Sequence, residues 1–133
     1  MTDPVYGDSS LTAASKALDG LSYRRNVISQ NVANVDTPGY HALEMNFESE
    51  LQRSMSDSPK LSLKTTNERH QLSNSDASGP YQAKLRSGGT ERADGNNVDI
   101  DQELMEMTET GIRYSALTTA VSKKLNLLKS IAR

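Results

Sequence analysis

At 133 residues, with hydrophobic residues at 35%, aromatics at 5% and no Trp, the chain has the length of one domain but little with which to fill a core. An ordinary globular domain is ~45–50% apolar on a broader count. The formal net charge of -2 excludes a nucleic-acid binder that works through a concentrated basic face, and the absence of cysteine excludes disulfides, thiolate metal sites and thiol nucleophiles together. No apolar run approaches the ~18 residues of a membrane span, and the start M-T-D-P-V-Y-G-D-S-S has no basic segment followed by an apolar one, so no cleaved secretory signal is expected. On these facts alone the default is a soluble cytoplasmic protein.

From Ser9 to Val35 the apolar residues fall at Leu11, Ala14, Leu18, Leu21, Ile28, Val32 and Val35, a heptad seam interrupted by one long basic side chain, Arg25. The spacing predicts a long amphipathic helix, with Ser9 or Ser10 as its N-cap. The pairs Arg24-Arg25 and Lys123-Lys124 read as solvated helix faces. The helix is expected to stop near Asn34 or Val35, because Thr37 precedes a proline and is pushed out of the α region. Pro38 presets the first central position of a type II turn, and Gly39 supplies the positive φ of the second. Tyr40 then leaves the corner on a defined side.

Beyond the corner, Leu43, Phe47, Leu51 and Met55 step by four, which predicts a short helix capped near Asn46 and stopped by Asp57-Ser58-Pro59. K-L-S-L-K-T-T and Y-Q-A-K-L-R-S alternate briefly and predict a small β-hairpin or edge strands. Residues 66–80 and 87–97 are rich in Ser, Asn, Asp and Gly and read as loops that bury little.

A second heptad seam runs through Ile100, Leu104, Met107, Gly111, Tyr114, Thr118, Val121, Leu125 and Leu128, with Leu117, Leu127 and Ile131 broadening it. Asp99 is expected to cap this helix, Gln102 to reach back in a capping box, and Val98 to act as the staple. Acids fill its first half and bases its second, as the helix dipole favours. The fold class is therefore mainly α: a terminal helix at each end (1–35 and 98–133), packed as a coiled-coil-like pair, around an insert (36–97) with a short helix and irregular or small β structure. Two seams with so few large side chains do not comfortably offset backbone ordering at ~1–2 kcal/mol per residue. Further helices must complete the burial, so an oligomer or filament is expected.

The wording of the corner is specific. S-Q-N-V-A-N-V-D-T-P-G-Y-H-A resembles the N-terminal signature of the bacterial flagellar rod and hook family, whose members carry an A-N-x-x-T-P-G-Y-type segment after a long amphipathic helix. The stretch from Asp94 to Leu128 is similar to that family's terminal helix, and its Gly95-Asn96-Asn97-Val98-Asp99 start and Arg113-Tyr114 pair resemble the proximal rod members most. F-E-S-E-L-Q-R-S-M and L-K-T-T-N-E-R-H resemble that type too, so that residues 9–56 and 93–133 carry the likeness.

The resemblance implies a structural subunit of the basal-body proximal rod, self- and co-assembling through its terminal helices to transmit torque, with no catalytic step and no cofactor. Implied partners are further copies, the other proximal rod proteins, a small rod-base adaptor, and MS-ring or export-gate components. The implied location is the periplasmic rod, reached through flagellar type III export without a cleaved signal. Marginal monomer stability would assist such export. The expected assembly residues are Leu11, Leu18, Leu21, Ile28 and Val32 in the first helix and Leu104, Met107, Tyr114, Val121, Leu125 and Leu128 in the last. Asn34, Thr37, Pro38, Gly39 and Tyr40 form the turn signature.

Other chemistry reads weakly. His41 and His70 have no partner at metal-binding spacing, and no metal is expected. Glu44, Glu48 and Glu50 could pass for glycosidic carboxylates, but they read as a solvated helix face with no sugar platform. Gly88-Gly89 lacks the Gly-Lys-Ser/Thr of a phosphate loop. The alternative to a rod subunit is a soluble coiled-coil adaptor or export chaperone that binds a partner helix.

Overall fold

The computed structural model describes residues 9–56 and 81–131. Their order is α1 (Ser9–Ala33), β1 (Leu43–Glu44), α2 (Phe47–Met55), β2 (Lys84–Leu85) and α3 (Ile100–Ile131). The architecture is mainly α, as expected. The two long helices pack on each other, and α2 and β1 pack on α1.

Helix α1 is the hub. At 25 residues it is about 37 Å long, and it buries Ala17, Leu21, Val27 and Ile28. Gly20 lets the insert approach: a Cβ there would lie 2.8 Å from Tyr81 Cε1 and 3.1 Å from Phe47 Cε2. Tyr81 stacks on Tyr23 with ring centroids 6.2 Å apart, and its hydroxyl donates to the Lys16 carbonyl. Ser9 and Ser10 are the first two residues of the helix itself, one position further in than the expected cap. Ser10 Oγ instead accepts from Lys124 Nζ of α3.

The insert differs from expectation in three ways. Leu43 belongs to β1, not to the short helix, which starts only after its cap Asn46, whose side chain accepts from Ser49 N–H. The predicted strand Y-Q-A-K-L-R-S does form β2, but its partner is β1, antiparallel, with Leu43 opposite Leu85. K-L-S-L-K-T-T and the Asp57-Ser58-Pro59 stop lie outside the described residues. Third, the polar stretch before α3 does not stay at the surface: Asn96 is fully buried and Asn97 nearly so. Composition underestimates such a segment because its amides find partners once the corner is next to them.

Helix α3 starts as read at Asp99, whose carboxylate accepts from the Asp101 and Gln102 amides, with Val98 buried beneath. Gln102 does not reach back; it donates forward to Glu106 at 3.0 Å. The larger difference concerns the seam. The shielded positions are Glu103, Glu106, Met107, Thr110, Gly111, Leu117, Val121, Lys124 and Leu128, a line that shares Met107, Gly111, Val121 and Leu128 with the predicted one but is rolled toward Glu103. Leu104 at 51%, Tyr114 at 39% and Leu125 at 50% exposure lie on its flank. The roll follows from Glu103: its carboxylate is fully buried and ion-paired, and an uncompensated buried charge would cost several kcal/mol.

Candidate assembly site: the corner lock and the outer flank of α3

The corner is held from two directions. Within it, Thr37 N–H donates to the Asn34 carbonyl at 3.0 Å and Tyr40 N–H to the Thr37 carbonyl at 3.2 Å, while Gly39 takes φ 71°. Asn34 Nδ2 donates to the Gln30 carbonyl at 2.8 Å, and Asn34 Oδ1 accepts from Thr37 Oγ1 at 3.1 Å. All but the last of these bonds satisfy backbone groups at or just beyond the helix end, where intrahelical partners run out.

From outside, the strand of residues running into α3 clamps the same turn. Asn96 Nδ2 lies within 2.9–3.1 Å of the carbonyl oxygens of Asn34, Val35 and Thr37. Its Oδ1 accepts from Val98 N–H at 2.8 Å. Gly39 N–H donates to the Asp94 carbonyl at 2.8 Å. Gly95, at φ 80°, packs on Gly39: a Cβ on it would lie 3.5 Å from Gly39 Cα. Asn97 Oδ1 accepts from Ala42 N–H at 2.6 Å. The T-P-G-Y signature and the G-N-N start of α3 are thus two halves of one clamp.

Behind the clamp lies a buried polar node centred on Asn31. Its Nδ2 donates to the Leu43 carbonyl at 2.7 Å and to Glu103 Oε2 at 3.1 Å. Its Oδ1 accepts from Leu43 N–H at 2.9 Å and from the Tyr40 hydroxyl at 3.2 Å. The amide therefore uses its full complement of donors and acceptors, presenting to Leu43 the edge that a neighbouring strand would present. Arg86 Nη2, from the segment after β2, meets Glu103 Oε1 at 2.7 Å. Burial, and then the nearby Glu103 charge, raise the Tyr40 pKa above its ordinary value of 10.0. One node thereby joins α1, the corner, β1, the insert and α3.

Neither Asn31 nor Glu103 was singled out in the sequence. Asn31 stands within the family-like segment, but nothing in its spacing announces a fully buried amide. Glu103 reads there as one of several helix-start acids. Nor was Arg24 anticipated: it points inward to Glu106 at 3.5 Å, whereas Arg25 is exposed. Of the three glutamates read as a solvated face, Glu44 lies in β1, Glu50 is buried and ion-paired with Arg53, and Glu48 pairs with Arg113 at 2.8 Å. The hydrogen bond from Arg113 lowers the Glu48 pKa and raises that of Arg113.

The expected assembly residues are divided by the fold. Leu21 and Ile28 are each 2% exposed and occupied by packing inside the chain. Leu11, Leu18, Val32, Met107, Val121 and Leu128 are half-buried. Leu104, Tyr114 and Leu125 are exposed, as are Ile100, Met105, Ile112, Leu127 and Ile131. Helix α3 thus places Glu103 and Thr110 inside and many of its large apolar groups outside, reversing the ordinary amphipathic arrangement.

Among the described residues no cluster of His, Asp or Glu has the geometry to hold a metal ion, and no helix is long and apolar enough to cross a membrane. His41 is exposed; His70 and the whole of the L-K-T-T-N-E-R-H stretch lie outside the described residues.

Comparison with known proteins agrees with the corner's wording. A family model described as "Flagella basal body rod protein" matches residues 9–41, which span α1 and the turn. The flagellar basal body rod protein FlgB of Bacillus subtilis is 33% identical over 115 residues, covering 86% of each chain. FlgB of Borreliella burgdorferi is 33% identical over 129 residues, covering 90% of this chain and 94% of the relative, and FlgB of Escherichia coli 30% over 131 residues, covering 92% and 95%. With identity of 30% or more over most of both chains, the chain belongs to the FlgB family of flagellar basal-body rod proteins, structural subunits of the rod and not enzymes.

Proposed function

We propose that the chain enters the rod by burying the outer flank of α3 against neighbouring subunits, with residues 1–35 and 98–133 forming rod core and residues 36–97 an insert set at a fixed angle by the corner. The neighbours are further copies and other proximal rod proteins, with a rod-base adaptor and MS-ring or export-gate components beneath. The subunit reaches this periplasmic position by flagellar export, and torque passes through many shallow helix contacts. The observation that carries this reading is the reversed face of α3, on which Leu104, Leu125 and Leu127 are each at least half exposed. Full burial of such a side chain is worth roughly 1.5–3 kcal/mol; these half-exposed groups forgo about half of that each, and neighbouring helices would recover it.

The test is Leu125→Glu. Its side chain is half exposed, so the monomer should keep its helicity by circular dichroism while the chain disappears from purified basal bodies and swimming stops. Wild-type amounts of this variant in basal bodies, with normal swimming, would sink the reading.

A further inference from the structure

Helix α1 carries one seam position where a long cation replaces an aliphatic side chain, Arg25, and the fold leaves it unused. Its neighbour Arg24 turns inward to Glu106. Arg25 is exposed, and among the described residues it has no carboxylate at ion-pair distance. Beside it is Gly111 of α3, where an added Cβ would meet nothing within 4 Å. Between them lies a groove of about 530 Å³ bounded by Arg25, Met107, Gly111, Ile112, Tyr114 and Ser115.

Two glycines inside helices make a useful contrast. A mid-helix glycine costs roughly 1 kcal/mol relative to alanine. At Gly20 the cost has an internal reason, the close approach of Tyr81 and Phe47. At Gly111 no described residue approaches, so the close contact that glycine permits is available to another molecule.

The charge of the groove and the inventory of α3 indicate which molecule. Asp99 caps the helix, and Glu103, Glu106 and Glu109 are ion-paired. Asp101 is exposed, and among the described residues its carboxylate has no ion pair or hydrogen bond. Three and four residues on, Leu104 is 51% and Met105 69% exposed, so one helical turn offers a free carboxylate beside two free apolar groups. That is the complement of a cation beside an empty groove. We propose that the Arg25–Gly111 groove seats α3 of a second copy of this chain, whose Leu104 and Met105 fill the space over Gly111 while its Asp101 pairs with Arg25. The inference rests on the reading of the chain as a rod subunit and adds which surface meets which.

The chain has no cysteine, so disulfide trapping has no background. Met105→Cys and Ser115→Cys are combined in one chain and oxidised in cells before basal bodies are purified. Within one helix these positions are roughly 15 Å apart, beyond the ~7 Å Cα limit of a disulfide, so a dimer band reports contact between copies. The double variant should give dimers and a ladder, and each single variant none. Arg25→Glu should lower the trapped yield roughly five- to tenfold, since an exposed attraction becomes a repulsion, and adding Asp101→Arg should restore it.

The same swap is read as swimming without cysteines: loss with Arg25→Glu, recovery with both changes. A chain present in basal bodies at normal amount but giving no dimer, trapped only to a different protein, or not rescued by the swap overturns the pairing while leaving the rod reading intact. Absence of the unmodified chain from basal bodies overturns both.

Discussion

Asn31→Ala tests the clamp most directly. The amide makes hydrogen bonds to Leu43 N–H, the Leu43 carbonyl, Glu103 Oε2 and the Tyr40 hydroxyl, and the residue is fully buried. Truncation strands those groups. Tyr40 is half-exposed and can turn to water, but the Glu103 carboxylate is fully buried and cannot. Each stranded buried group costs ~1–3 kcal/mol, more when charged. Counting Glu103 and one Leu43 group in full gives a loss of about 3–5 kcal/mol, a large share of the ~5–15 kcal/mol typical of a domain. Urea titration of the monomer followed by helical circular dichroism should show the midpoint falling accordingly, with unchanged slope. The exposed Asn26 on the same helix serves as the control, and its alanine variant should stay within ~0.5 kcal/mol. A loss below 1 kcal/mol for Asn31→Ala, or one equal to the control, would refute the claim that the node organises the fold.

Three further outcomes follow from the same packing. Gly20→Val should destabilise by about 1–3 kcal/mol through its clash with the Tyr81 ring, whereas Gly111→Ala, with open space around it, should stabilise the monomer by up to ~1 kcal/mol; thermal melts of the two variants shifting the same way would contradict this. Thr110 Oγ1 is buried without a hydrogen-bond partner among the described residues, so Thr110→Val should raise stability by about 1 kcal/mol, and a lowered urea midpoint would show that the hydroxyl is satisfied in solution. Burial raises the pKa of both Tyr40 and Tyr81. Their contribution is fully present below the ordinary value of 10.0 and is lost as pH rises through the higher folded values. Tyrosinate absorbance should therefore lag behind free tyrosine above pH 10, with helicity falling as it appears; ionisation at the free value in the intact helical state would overturn the assignment.

Much of this protein is legible in its sequence. Period and punctuation are local properties, so the long terminal helices, the Thr37-Pro38-Gly39-Tyr40 turn and the Asp99 cap could be placed from residue spacing and backbone preference alone. The corner's wording also carried the family. Which side of α3 turns inward could not be read in the same way. The predicted line through Leu104, Met107, Tyr114, Val121 and Leu125 and the observed line through Glu103, Met107, Thr110, Val121 and Lys124 share positions and differ by a small roll, and hydrophobicity favours the wrong one for an isolated chain. The choice belongs to Glu103, because a carboxylate can be buried only where Asn31 and Arg86, 72 and 17 residues away in sequence, are brought to meet it. Burial of Asn96 beneath the corner has the same origin. Local spacing settles what each segment becomes; the partners of its polar groups, drawn from distant segments, settle which way it faces, and thereby which apolar side chains remain for the next subunit.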